Sequence, residues 1–233
     1  MPSSRFQLHL VTAPRRSADE LIGAVALALD GGADWVQLRD KSGSAALLYE
    51  EAGELLRVAR QHGAHLAVND RLDVALAVGA DGVHLAGQSL PVAAAVHLAT
   101  GQLMVGRSVH SLAEASAAAA AGAHYLTFGH VFPTTSHPGL PPHGLVELAA
   151  IVQAVDVPVL AIGGITVANL DEVLGTGCAG IAVISAILSD SNPTRAAARL
   201  RAVLDASVDQ PRYPFPTPVR RQSHAADRQP TIV

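Results

Sequence analysis

The sequence predicts a single (βα)8 barrel, and three observations support that fold class. The chain has 233 residues, of which 49% are hydrophobic and 15% charged, so it is long enough and apolar enough for one barrel. A glycine followed by an apolar run recurs at residues 32–38, 79–85, 122–128 and 177–183. The copies lie 47, 43 and 55 residues apart, which fits two strand–helix units of about 25 residues each.

Each copy is predicted to be a buried parallel strand preceded by a helix, because glycine suits the left-handed turn that ends a helix. Four further apolar runs supply the strands between the copies: 6–11, 64–68, 103–105 and 157–162. Helical segments alternate with these strands at 18–30, 43–62, 71–78, 91–98, 111–121, 144–154, 167–174 and 193–206. The alternative is an open doubly wound sheet of eight strands, and the number and length of the strands favour the barrel.

We therefore assign residues 1–207 to one catalytic barrel domain. From residue 208 onwards the periodicity stops, and five prolines and four arginines follow. We expect residues 208–233 to be a mostly unstructured tail. The alternative is that its arginines bind an anion or a neighbouring subunit in a homo-oligomer.

Composition excludes several classes of partner. No apolar run approaches the roughly 20 residues that span a bilayer, and the first residues lack the apolar core of a signal peptide. The single cysteine, Cys178, cannot form an internal disulfide, so we expect a cytoplasmic protein. A net charge of −4 and only 3% aromatic residues argue against nucleic-acid binding.

Polar residues and glycines follow nearly every predicted strand. Barrel enzymes build their active sites from the loops at the C-terminal ends of the strands. The chain places polar or glycine residues there at 37–41, 69–71, 84–89, 106–110, 129–137, 163–164 and 185. This clustering predicts a catalytic site at that end of the barrel.

Two of these strand ends predict binding of an anion. Gly163 and Gly164 let backbone N–H groups approach a phosphate, and Ile184 and Ser185 lie in the neighbouring loop. The alternative is that the two glycines only form a tight corner after the strand. Arg39 and Lys41, two residues apart, share a face of an extended segment and can grip a carboxylate or phosphate, unless they pair with a nearby acid.

Metal binding is only weakly indicated. Asp70 could supply a carboxylate to Mg²⁺, but a second acid is absent from the nearby segment, which holds Ser89. Asp70 could equally pair with Arg39 or Arg71. The eleven histidines show no zinc-ligand spacing, so we predict no metal and no other cofactor.

His130 is the strongest candidate for chemistry, because it directly follows a predicted strand and a glycine. Its ring is expected to project over the mouth of the barrel. An imidazole can both accept and donate a proton at neutral pH, which a proton-shuttling isomerisation requires. The hydroxyl-rich loop of Thr134, Thr135 and Ser136 follows closely.

Several of these segments, in one order from about residue 6 to 207, resemble thiamine phosphate synthase and its TenI-type paralogues. The motifs are Val36-Gln37-Leu38-Arg39-Asp40-Lys41, Val68-Asn69-Asp70-Arg71-Leu72-Asp73, Gly82-Val83-His84-Leu85, Ala161-Ile162-Gly163-Gly164-Ile165 and Ala182-Val183-Ile184-Ser185. The resemblance implies a small phosphorylated thiazole as the partner.

The resemblance also separates two branches of this family. The synthase joins a pyrimidine pyrophosphate to a thiazole phosphate, and its pattern implies an aspartate pair for Mg²⁺ and a lysine for the pyrophosphate. Here Ser89 stands where the second acid is expected, and His137 where the lysine is expected. Conversely, Gly129-His130 and the segment 106–111 resemble the thiazole tautomerase, in which the histidine after the glycine is catalytic.

The resemblance therefore implies a thiazole tautomerase with His130 as the proton-transfer residue. Gly163, Gly164, Ile184 and Ser185 would hold the substrate phosphate. The remaining substrate-binding candidates would orient the carboxylate and ring: Arg39, Lys41, Asn69, Ser108, Thr134, Thr135 and Ser136. The alternatives are a magnesium-dependent thiamine phosphate synthase and a non-catalytic phosphate-binding regulatory protein.

Overall fold

The computed structural model describes residues 5–13, 17–136 and 138–218. Its strands are β1 Gln7–Val11, β2 Trp35–Leu38, β3 His65–Asn69, β4 Gly82–Leu85, β5 Met104–Val109, β6 Tyr125–Gly129, β7 Val159–Ile162 and β8 Gly180–Val183. Its helices are α1 Ala18–Asp30, α2 Ala45–Gln61, α3 Leu72–Val78, α4 Val92–Ala99, α5 Leu112–Ala120, α6 Gly144–Ala154, α7 Leu170–Leu174, α8 Ser185–Leu188 and α9 Pro193–Ala206. In the described ranges, no helix is both long and apolar enough to cross a bilayer.

The eight strands form a closed parallel barrel in sequence order, which confirms the predicted (βα)8 fold. Closure occurs between the first and last strands, where His9 of β1 pairs with Ala182 of β8 and Leu10 with Val183. An open sheet has two edge strands that are paired on one side only, whereas here each of the eight strands pairs on both sides. The alternative of a doubly wound sheet is therefore wrong.

The recurring glycine segments contain a contact that joins each copy to the strand preceding it. Asp34, third in the first copy, donates its backbone N–H to Leu8 O at 2.8 Å, and its Oδ2 accepts the N–H of Leu8 at 2.8 Å. Asp81 makes the same pair of bonds with Leu66, both at 2.9 Å. We call this two-way contact the strand clasp.

In the third copy a histidine replaces the aspartate of the strand clasp, and in the fourth an alanine makes only the backbone hydrogen bond. His124 donates its N–H to Val105 O at 2.8 Å, and its Nδ1 accepts the N–H of Val105 at 2.9 Å. Ala179 donates its N–H to Val159 O at 2.7 Å but has no side-chain acceptor. The repeat in the sequence thus reflects a repeated hydrogen-bonding unit at the N-terminal end of the barrel.

Helix α9 closes the helical ring by packing against α1. A Cβ atom on Gly31 would overlap the side chain of Ala197, so the close approach of α9 requires glycine there. Arg201 of α9 is buried and donates to Phe6 O at 2.9 Å and to Asp34 Oδ2 at 3.1 Å. Arg201 therefore links the last helix to Asp34, the residue that forms the first strand clasp.

Phe215 seals the N-terminal end of the barrel. Its side chain is 2% exposed. Its ring lies 5.0 Å from the rings of His9 and Tyr125 and 5.8 Å from Trp35, measured between centroids. Trp35 and Tyr125 are the first residues of β2 and β6, so this aromatic cluster fills the end opposite the predicted site.

The packing of Phe215 differs from the unstructured tail that the sequence predicted from residue 208. Arg212 donates its backbone N–H to Gly177 O at 3.0 Å, which fixes the segment before Phe215 along the barrel. A single buried aromatic residue among prolines carries no periodicity, so pattern analysis could not detect it. The rest of the predicted tail, 219–233, lies outside the described residues.

Two further details differ from the prediction. Strand β5 continues to Val109, although the sequence predicted its end at residue 105. Its polar residues resemble a loop in the sequence but belong to a polar layer inside the barrel. The four-residue helix α8 was not predicted, because four residues are too few to show a helical period.

Candidate active site

A polar layer crosses the barrel interior near the C-terminal ends of the strands. Gln37 Nε2 of β2 donates to Asn69 Oδ1 of β3 at 2.8 Å. His84 Nε2 of β4 lies 2.8 Å from Ser108 Oγ of β5. These bonds join side chains on neighbouring strands, so the four residues lie side by side along β2 to β5. The structure therefore brings Asn69 and Ser108 to one end of the barrel, as the sequence predicted.

Asp70 directly follows β3 with a positive φ of 62°, a conformation that non-glycine residues rarely adopt. Its Oδ1 accepts the N–H of Ala86 at 2.9 Å and also the hydroxyl of Ser89. Its Oδ2 accepts from Asn69 Nδ2 at 2.6 Å. Both oxygens of the carboxylate are therefore already hydrogen-bonded to protein donors.

This arrangement does not fit the Mg²⁺ ion that the resemblance implies for the synthase. Magnesium prefers anionic and neutral oxygen ligands in octahedral geometry, whereas Asp70 is surrounded by hydrogen-bond donors. No group of three or more His, Cys, Asp or Glu side chains suited to a metal occurs among the described residues. Arg71 pairs with Asp73 at 2.6 Å rather than with Asp70.

His84 is the most strongly perturbed titratable group of the polar layer. Its Nδ1 lies 3.2 Å from the hydroxyl of Tyr125, and its Nε2 contacts Ser108. Burial lowers the pKa of His84 to about 4, with a smaller opposing effect from Asp70 and a smaller lowering effect from Arg107. His84 is therefore neutral at pH 7 and serves as a hydrogen-bonding group.

Arg39 and Lys41 follow β2 at the mouth of the barrel. Arg39 is half-buried, and its backbone N–H donates to Thr12 Oγ1 at 2.8 Å. Lys41 is exposed. In the described part of the chain neither forms an ion pair, and Asp40 instead accepts from the backbone and hydroxyl of Ser42. Within the described residues, the structure therefore does not show the alternative in which Arg39 and Lys41 pair with a nearby acid.

His130 follows β6 and is 7% exposed. Its Nε2 lies 3.3 Å from the carbonyl oxygen of Leu140. Because a carbonyl can only accept, Nε2 carries the hydrogen, and Nδ1 is the nitrogen that can take up a proton in the neutral ring. The loop that carries Leu140 encloses the ring, so His130 does not project openly over the mouth as the sequence had suggested.

Glycines allow the His130 segment to lie directly against the end of β7. A Cβ atom on Gly129 would overlap the carbonyl of Ile162, and one on Gly163 would overlap the Cβ of His130. Gly163 and Gly164 also have positive φ angles of 99° and 67°. The glycine pair is thus required by the corner itself, and its role in binding a phosphate remains a prediction.

The other predicted substrate-binding residues lie on the same rim. Thr134 Oγ1 accepts the N–H of Ser136 at 3.3 Å, while Thr135 is exposed. His137, which stands where the synthase pattern has lysine, lies outside the described residues. Ile184 precedes α8, and Ser185 is its exposed first residue, so both follow β8 directly.

Sequence reasoning did not assign a role to a cluster of aromatic and histidine rings beside His130. The ring of His143, which precedes α6, lies 5.9 Å from the ring of His130, 6.2 Å from that of His110 and 5.3 Å from that of Phe128. His110 Nδ1 lies 2.7 Å from Gly129 O. Sequence spacing does not reveal these contacts, because they depend on how the loop after β6 folds back and on its approach to the loop after β5.

The single cysteine takes no part in this site. Cys178 is buried, and burial raises the pKa of its thiol to about 11. A thiol that stays protonated at neutral pH is a poor nucleophile. This agrees with the absence of any Cys–His spacing in the sequence.

Comparison with known proteins gives the family. Residues 8–187 match the TMP-TENI family model, described as thiamine monophosphate synthase. The chain belongs to this family. The fold and the order of motifs predicted from the sequence agree with this assignment, but the family model does not distinguish the TenI branch from the synthase branch.

Relatives and solved structures extend the comparison. A putative thiamine-phosphate synthase from Geobacter sulfurreducens is 43% identical over 201 residues, covering 85% of this chain and 94% of that protein. The thiamine-phosphate synthase of Chloroflexus aurantiacus is 46% identical over 184 residues, covering 78% and 85%. The structure of thiamine phosphate pyrophosphorylase from Pyrococcus furiosus aligns with a TM-score of 0.79 at 40% identity, covering 86% and 96%. These names favour the synthase branch over the tautomerase branch.

Proposed function

We propose that this chain is a thiazole tautomerase of thiamine biosynthesis, with His130 as the residue that transfers the proton. The observation that carries the proposal is the position of His130, an enclosed imidazole at the end of β6 whose Nε2–H is committed to Leu140 O. That commitment leaves Nδ1 as the basic nitrogen, which a proton transfer requires.

The proposed reaction moves one proton within the substrate, a thiazole phosphate carboxylate with an exocyclic double bond. Nδ1 of His130 takes the proton from the ring carbon that bears the carboxylate. The electrons of that C–H bond form a ring double bond, and the existing ring double bond shifts towards the exocyclic group. The electrons of the exocyclic double bond then form a new C–H bond with the proton that His130 returns. The product is the aromatic tautomer, 2-(2-carboxy-4-methylthiazol-5-yl)ethyl phosphate, and the reaction has no net oxidation or reduction.

The chain's other residues would bind and orient this substrate. Gly163 and Gly164, with Ile184 and Ser185 across the neighbouring strand end, would hold the phosphate through backbone N–H groups. Arg39 and Lys41, which lack an ion-pair partner within the described ranges, would hold the carboxylate. Asn69, Ser108 and the Thr134–Ser136 loop would complete the wall of the site.

The test is the rate of tautomerisation by wild-type protein and by His130→Asn. Removing a positioned acid–base group lowers kcat by about 100-fold or more, and Asn keeps a polar group of similar size. Tautomerisation by His130→Asn at the wild-type rate would show that the assignment is wrong. Binding of the thiazole phosphate with no reaction in the wild type would favour a regulatory protein instead.

A thiamine phosphate synthase is the second candidate, and the names of the relatives favour it. Ser89 counts against it: by the resemblance this residue stands where the synthase has its second carboxylate, and its hydroxyl donates to Asp70. The test is formation of thiamine phosphate from the pyrimidine pyrophosphate and thiazole phosphate with added Mg²⁺. Efficient turnover by the wild type would replace the tautomerase proposal with this one.

A further inference from the structure

The ring of His143 links His130 to a carboxylate on the next helix. His143 lies directly before α6, and its Nδ1 is 3.2 Å from Oε2 of Glu147, one helical turn further on. On the other side, its ring meets that of His130 in an edge-to-face arrangement, with centroids 5.9 Å apart and planes at 67°. The backbone N–H of His143 also donates to His130 O at 3.0 Å.

These contacts hold the two rings in a fixed relation. Phe128, buried at 0% exposure, supports the ring of His143 at 5.3 Å. Gly144 donates its N–H to Val131 O at 3.1 Å, so the start of α6 is hydrogen-bonded to the carbonyl oxygens of two successive residues, His130 and Val131. The backbone at His143 cannot move away from the backbone at His130 without breaking these two hydrogen bonds.

The hydrogen bonds also fix which nitrogen of His143 carries the hydrogen. A carboxylate can only accept, so Nδ1 of His143 is the donor to Glu147, and Nε2 is unprotonated in the neutral ring. This is the less common tautomer of histidine in water, and it is a measurable signature. His110 is held similarly, with Nδ1 donating to Gly129 O at 2.7 Å.

We propose that His143, held by Glu147, is the positioning residue for His130 in the proton transfer. The proposal rests on the proposed function of His130. When His130 holds the substrate's proton it is a cation, and the negative charge of Glu147, hydrogen-bonded to the adjacent ring of His143, stabilises that cation. The substrate-bound ground state, with His130 neutral, receives no such stabilisation.

An interaction made only as the cation forms changes kcat and kcat/KM equally and leaves KM unchanged. We therefore expect Glu147→Gln, which keeps a hydrogen-bond acceptor but removes the charge, to lower kcat about three- to tenfold. His143→Phe keeps an aromatic ring against His130 but removes the link to Glu147, and should lower kcat similarly. In the His143→Phe background, Glu147→Gln should have little further effect, because the carboxylate acts through His143.

Other charged or titratable groups also lie near His130, and the experiment keeps them constant. His110 lies on β5's C-terminal side, and Glu114 of α5 accepts the backbone N–H of His110 at 2.8 Å. Both stay unchanged in every variant. The matched control is Glu172→Gln, an exposed acid in the first turn of α7.

The experiment combines steady-state kinetics with ¹⁵N NMR of the histidine rings in the substrate-free protein. The expected result is an Nδ1-protonated His143 in the wild type, loss of this tautomer preference in Glu147→Ala, and the kcat pattern above. Wild-type kcat in Glu147→Gln, with His130→Asn inactive, would overturn this inference alone. A fully active His130→Asn would overturn the proposed function, while an Nε2-protonated His143 in the wild type would overturn the positioning contact independently of any activity.

Discussion

At the scale of single residues, the hydrogen bonds that each ring donates and each carboxylate accepts decide which of its atoms can still react. His130, His110 and His143 each direct one ring nitrogen at a fixed oxygen acceptor, of Leu140, Gly129 and Glu147 respectively. Asp70 has both oxygens occupied by donors. The type of residue at each position could be read from the sequence, but most of these contacts could not. Some join separate loops, as His110 to Gly129 and Asp70 to Ala86 do, and others depend on how the long loop between β6 and α6 folds back on itself.

At this scale we predict that Arg39→Met raises KM for the thiazole phosphate carboxylate about 10- to 100-fold with little change in kcat. The reason is that hydrogen bonds to a charged group contribute about 1.5–3 kcal/mol, and Arg39 forms no ion pair in the described part of the chain that would compete. Steady-state kinetics measures this effect. The control is Arg57→Met, an exposed side chain on α2 that pairs with Glu54. An unchanged KM in Arg39→Met would remove Arg39 from the binding site.

Because the buried histidines inside the barrel are held neutral, we predict that the protein loses stability in mild acid. Burial lowers the pKa of His84 to about 4, and burial together with the charges of His84 and His65 lowers that of His9. Between the ordinary pKa of about 6.5 and the lowered values, the unfolded chain binds more protons than the folded chain. Stability is therefore fully present above pH 6.5 and is lost as the pH falls towards 4.

The expected loss is about 1.4 kcal/mol per pH unit for each such histidine. Urea unfolding at pH 7, 6 and 5 measures it. His84→Gln should reduce the slope, whereas His97→Gln, an exposed residue on α4, should leave it unchanged. A free energy of unfolding that is flat over this range would contradict the neutral, buried state of these rings.

At the scale of elements, the strand clasp explains why the sequence repeats. The pattern of glycine and apolar residues predicted the strands correctly, because burial on both faces gives continuous apolar runs. The role of the third residue of each copy was not predictable, since the strand that it contacts precedes it by a whole helix. The continuation of β5 was not predictable for a similar reason: its polar residues resemble a loop, and their partners inside the barrel lie on another strand.

We predict that Asp81→Ala destabilises the protein by about 1–3 kcal/mol, because it leaves the buried N–H of Leu66 without its acceptor. Chemical denaturation measures the effect. Asp73→Ala is the matched control: its carboxylate pairs with Arg71 on the surface, where loss of an ion pair costs at most about 1 kcal/mol. Equal effects of the two substitutions would show that the strand clasp contributes no more than a surface pair.

At the scale of the whole molecule, the two ends of the barrel have separate tasks. The C-terminal end gathers the polar residues, and the N-terminal end is filled by Trp35, Tyr125 and Phe215. The sequence predicted the first end well, since polar residues at successive strand ends form a recognisable series. It missed the second, because Phe215 acts alone from a segment beyond the last helix.

Phe215→Ala should therefore destabilise the protein by about 3–5 kcal/mol, the cost of a cavity in a packed core, without changing KM at the opposite end. Thermal and chemical unfolding with parallel kinetics measure both quantities. Val208→Ala, at a side chain that is 94% exposed, is the control in the same segment and should be neutral. Stability unchanged by Phe215→Ala would mean that the barrel end does not depend on this residue.

The central claim is that the site of this family member catalyses proton transfer by His130 rather than joining two substrates. The most direct measurement compares, for the wild-type protein under one set of conditions, kcat/KM for thiazole tautomerisation with kcat/KM for thiamine phosphate formation in the presence of Mg²⁺. Asp70 accepts hydrogen bonds from Asn69, Ala86 and Ser89, and His130 is enclosed. We therefore expect tautomerisation to be faster by orders of magnitude and to be abolished in His130→Asn. Efficient thiamine phosphate formation, with tautomerisation absent or insensitive to His130, would show that the site joins two substrates instead.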